Sequence, residues 1–134
     1  MHFLYLVSID KETAKGDPRK KTMNILDREN FCGGEGYWSR GKGDGFVIGG
    51  GDSGLLSGKK KFKGKERDCY QWGGYPDDAM IATKEMFERI KKEEGEETEI
   101  AFIRDGAVES ESTLGKITFG EIKNTYLVVV DAHI

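Results

Sequence analysis

The chain has 134 residues, 37% of them hydrophobic and 34% charged, with a formal net charge of −3. That length suits one compact domain, residues 1–134, able to bury a core without a metal or a disulfide, and the clustering of its apolar residues into runs excludes a disordered chain. The acidic balance speaks against nucleic acid as a partner, and no apolar stretch is long enough to span a membrane.

The first run, Phe3 to Ile9, is aromatic and β-branched with no turn residue inside it and predicts a buried strand. It lacks a basic flank and a small-residue cleavage site, so it does not read as a signal peptide. The polar stretch DKETAKGDP predicts a loop. Thr22 to Phe31 predicts a short helix through Met23, Ile25 and Leu26. CGGEGYWSRGKGDG is too rich in glycine for either regular state and predicts a long loop. Phe46 to Ile48 is a short strand. The basic stretch GKKKFKGKERD reads as an exposed strand or an open loop.

The clearest helical pattern begins at Asp77, a natural N-cap with Asp78 beside it. Ala79, Ala82, Met86, Phe87 and Ile90 form its apolar stripe, and Gly95 stands where a helix would end. Glu99 to Arg104 predicts a strand, RDGA a hairpin turn, Val108 onward its return strand, and Tyr126 to Val130 a central strand. The expected fold is α+β: a single sandwich domain, with a mostly antiparallel or mixed sheet, two helices on one face, and ferredoxin-like character.

Cys32 and Cys69 form no Cys-x-x-Cys pair. With no other mark of secretion they read as reduced thiols and point to a cytoplasmic setting, a single disulfide being the alternative. No cofactor is expected. Gly49 to Gly54 satisfies the dinucleotide spacing GxGxxG after a short strand, but the following LLSGKKKFKGK is a poor helix, and that mechanism needs a helix N-terminus at the turn. Gly36 to Lys42 has phosphate-loop spacing, but Gly43 stands where Ser or Thr is needed. Two readings of the glycines remain: a sharp bend of the chain, or an anion nest with Lys59, Lys60 and Lys61 near it.

Candidate ligand-binding residues are therefore Trp38, Gly49, Gly50, Ser53, Lys59, Lys61, Trp72 and Tyr75, the aromatics being placed in glycine-rich loops where contacts are often built. His2, Asp131 and His133 form a second set. Asp131 and His133 share one face of a strand, and His2 joins them if the first and last strands are antiparallel neighbours, which would make a catalytic or metal-holding cluster.

FVIGGGDSGLL, GGYPDDAMI and VVVDAHI together resemble a family of small proteins of bacteria and their phages to which no activity is assigned. Its pattern reads IGG-Arg-Trp-SG, then DDA, then VVVD-x-HI. Gly49, Gly50, Ser53 and Gly54 match the first motif, Asp77, Asp78 and Ala79 the second, and Asp131 and His133 the third. The chain departs from it at Gly51 and Asp52, where the pattern has Arg and Trp. The resemblance implies a bacterial or phage setting. On these grounds the expected function is a small binding protein that holds a nucleotide-like ligand or blocks a host defence protein. The alternatives are a metal-dependent hydrolase using His2, Asp131 and His133, and a homo-oligomeric accessory protein without a ligand.

Overall fold

The computed structural model describes residues 1–58 and 73–134. In chain order these form β1 (His2–Asp10), α1 (Lys11–Ala14), α2 (Pro18–Arg28), β2 (Gly45–Ile48), β3 (Ala79–Ile81), α3 (Lys84–Glu94), β4 (Glu99–Arg104), β5 (Ala107–Thr113) and β6 (Thr125–His133). The strands make one mixed sheet in the order β2-β6-β1-β4-β5. β1 runs parallel to β4, and the other pairings are antiparallel. β2 and β3 lie end to end along the same side of β6: Phe46 to Ile48 pair with Val130 to Ala132, and Ala79 to Ile81 with Tyr126 to Val128.

β1 and β6 are buried on both faces, which is why their sequences are nearly continuous apolar runs. Tyr5, Val7 and Ile9 pack with Ile25 and Leu26 of α2, Phe31, Trp38 and Ile48. Leu6, Ile100, Phe102, Leu127 and Val129 pack on the other side with Met86, Phe87 and Ile90 of α3. The α+β class, the mixed sheet and the two longer helices agree with expectation. The placement of the helices does not: α2 and α3 cover opposite faces, so the two-layer, ferredoxin-like packing is replaced by a sheet between two helical layers.

Three local expectations are corrected. The supposed loop after β1 contains α1, because the Asp10 side chain accepts from Thr13 N at 3.2 Å. The next helix starts at Pro18 rather than Thr22: Asp17 is its N-cap and proline occupies its first turn. The Asp77 cap is displaced as well. Pro76 to Asp78 form one 3₁₀ turn, Ala79 enters β3, and α3 begins only after Thr83, whose hydroxyl accepts from Met86 N at 3.2 Å. Gly95 ends α3 as expected. β4 spans the predicted residues, and the hairpin to β5 turns through Asp105 and Gly106 at φ 52° and 82°.

Candidate functional site

The three segments that carry the family resemblance meet at one place. β2 stops at Ile48, opposite Val130, and β3 begins at Ala79, opposite Val128. The chain leaves the sheet in the gap between them, Gly49 N still donating to Val129 O at 2.8 Å. Gly50 to Asp52 then form a 3₁₀ turn. Gly49 and Gly50 have φ of +80° and +56°, and a Cβ on Gly49 would overlap the Asp78 carboxylate, one on Gly50 that of Asp131. Glycine is required here by backbone sign and by close approach together.

Asp78 is fully buried. One of its carboxylate oxygens accepts from Ser53 Oγ at 2.9 Å and from Tyr75 N at 2.8 Å, and the other from Gly54 N at 3.1 Å. Asp131, from the neighbouring strand, is buried as well, and accepts from Gly51 N at 2.8 Å and from His2 Nδ1 at 2.8 Å. Two buried carboxylates thus grip the glycine turn from two sides. Charge-assisted bonds of this kind are about twice as strong as neutral ones. The turn's N–H groups at Gly51 and Gly54 are spent on these carboxylates, so an anion placed at the turn would meet negative charge. The bend, and not the phosphate nest, describes these glycines.

The other predicted ligand contacts divide. Trp38 is not on a ligand-facing loop surface: it is buried, its ring edge-on to Phe31 and Tyr5, and its Nε1 donates to Glu111 at 3.1 Å. The Tyr5 hydroxyl donates to the same carboxylate. Burial, then the bond to Glu111, raises the Tyr5 pKa far above its ordinary value. Ser53 is buried with its hydroxyl on Asp78, and Tyr75 is half-buried beside it. Lys59, Lys61 and Trp72 lie outside the described residues, as does Cys69, while Cys32 is an exposed free thiol.

His2 and His133 do come together. They are cross-strand partners in the antiparallel β1–β6 pair, with ring centroids 5.0 Å apart. His2 Nδ1 meets Asp131, and His133 Nδ1 meets Asp44 at 2.7 Å. The bond to His133 holds the Asp44 carboxyl below the usual carboxylate range. The arrangement is two separate carboxylate–imidazole pairs rather than one converging ligand set. Among the described residues no group of three or more His, Cys, Asp or Glu is arranged to hold a metal ion. Asp44 is the member of this cluster that sequence reasoning missed, since nothing local in KGDG marks it.

Beside the histidines lies a groove of about 370 Å³, lined by Phe46 and Val47 and rimmed by His2, Asp44, Asp131 and His133. Asp131 belongs both to this rim and to the clamp, and so links the groove to the turn. Comparison with protein-family models, with curated proteins and with solved structures finds no match for the chain.

Proposed function

We propose that the chain is a small binding protein whose recognition face is this groove and the clamped turn next to it. The observation that carries the reading is the groove's composition: an apolar floor with a few polar groups converging on its rim, built on paired strands, at the size of small-ligand sites. The ligand class is nucleotide-like, a planar ring lying over Val47 with its polar edge toward His2, His133 and Asp44. The bacterial or phage setting of the resembling family belongs to the same reading. Hydrolysis is less well supported, because His2, Asp131 and His133 do not converge as one metal-holding group among the described residues.

A titration of the ¹⁵N-labelled chain with a panel of nucleosides and nucleotides tests this. Saturable shifts of the Gly45, Val47 and Gly51 amides are expected with at least one member, and loss of those shifts in Val47→Arg. A panel that leaves these amides unmoved contradicts the reading.

A further inference from the structure

At the other end of β1 the geometry points to a second, independent site: a pocket for a phosphate-bearing small molecule with hydroxyl groups. The pocket has a volume of about 350 Å³ and includes Lys15, Lys21 and Arg28 in its lining. It lies beyond the carboxyl ends of β1 and β4, the parallel pair of the sheet. Crevices at that end of parallel strands are where sheets flanked by helices hold ligands.

The walls are tied to one another. Gly106 N donates to Thr13 Oγ1 at 2.9 Å, and Arg28 donates to Gly106 O at 2.6 Å, so the β4–β5 turn is fastened to α1 and α2. Lys21, Asn24 and Arg28 follow one face of α2 into the cavity. Lys15 enters from the end of α1 in a left-handed conformation, φ 48°, which costs a non-glycine residue on the order of 1 kcal/mol. Neither Lys15 nor Lys21 has an ion-pair partner among the described residues, although acidic residues outnumber basic ones in the chain, 24 to 21.

Glu12 and Asp105 also line the pocket. They restrict the ligand: with Arg28 engaged by Glu29 at 3.5 Å and by Gly106 O, Lys15 and Lys21 beside two carboxylates suit a single phosphate on a carrier whose hydroxyls donate to carboxylate oxygens. A ligand with two anionic ends would be repelled.

The test uses ribose 5-phosphate, inorganic phosphate and ribose as probes of the ¹⁵N-labelled chain. Saturable shifts at the Thr13, Lys15 and Gly106 amides are expected with ribose 5-phosphate, weaker ones with inorganic phosphate, and none with ribose. Lys21→Glu should weaken ribose 5-phosphate by about tenfold or more, the loss of one charge-assisted contact. Lys15→Gly should also weaken it while holding or raising the unfolding midpoint, because glycine relieves the left-handed backbone. That pairing separates a binding role from a merely structural one. Absence of saturable shifts at these amides, or affinity unchanged in both variants, overturns the site. Equal affinity for inorganic phosphate and ribose 5-phosphate overturns the assignment of the carboxylates to hydroxyls. Because the amides read lie at the far end of β1 from the histidine groove, failure here leaves the groove reading untouched.

Discussion

At the scale of single residues, Asp78 and Asp131 decide the shape of the turn between β2 and β3. Removing the Asp78 carboxylate with alanine leaves Ser53 Oγ and the N–H groups of Gly54 and Tyr75 without their buried acceptor. A loss of about 3 kcal/mol in urea unfolding is expected, against about 1 kcal/mol for Ser53→Ala, which removes a single hydroxyl. Gly49→Ala should cost more than ~2 kcal/mol, since the side chain meets both an unfavourable φ and the Asp78 carboxylate. Tyr5 gives a pH prediction. Its pKa is raised in the fold, so its contribution is fully present below the unfolded value, ~10, and is lost as pH rises above it. Urea midpoints taken through that range should fall, and fall less steeply in Tyr5→Phe. The motif residues were legible in the sequence as a set, but their roles were not. Asp78 read as a capping residue because a carboxylate before an apolar run looks the same whether it caps a helix or accepts from a distant loop. Trp38 read as a loop aromatic because the glycines around it conceal that the loop folds inward onto Tyr5 and Phe31.

At the scale of elements, the boundaries turn on which cap wins. Thr83, not Asp77, starts α3. Thr83→Ala should therefore cost about 1 kcal/mol and speed amide exchange at Met86 and along the first turn of α3. The Asp77 side chain accepts instead from Ser57 Oγ at 2.8 Å, so Asp77→Ala should leave exchange at Met86 unchanged. The apolar stripe of Met86, Phe87 and Ile90 was readable from its spacing. Ala79 and Ala82 fitted the same period by coincidence, and β3 takes Ala79 because β6 offers an unpaired edge beyond the end of β2. In the same way Asp17 and Pro18 read as part of a loop, although Asp-Pro is also how a helix begins. Strand β4 was readable to the residue, and β5 begins one residue before the expected Val108, because the RDGA turn marks the hairpin locally.

At the scale of the whole molecule, the expected one-sided sheet became a two-sided one. The signal was present: FLYLVSI, broken only by Ser8, IAFI and YLVVV are nearly continuous apolar runs, and a strand that is apolar on both faces needs cover on both. The meeting of His2 with His133 depends on the antiparallel pairing of β1 with β6, whose residues are far apart in the chain, so the sequence alone left it conditional. The groove depends further on Asp44, brought in by the run of turns after α2.

Two buried carboxylates, Asp78 and Asp131, hold the glycine turn from two sides. Amide hydrogen exchange at Gly51 and Gly54 tests this hold, in the native chain and in Asp131→Ala and Asp78→Ala. Both amides should be strongly protected in the native chain, with Gly51 losing protection in Asp131→Ala and Gly54 in Asp78→Ala. Exchange of both at the rate of an unstructured loop in the native chain would contradict it.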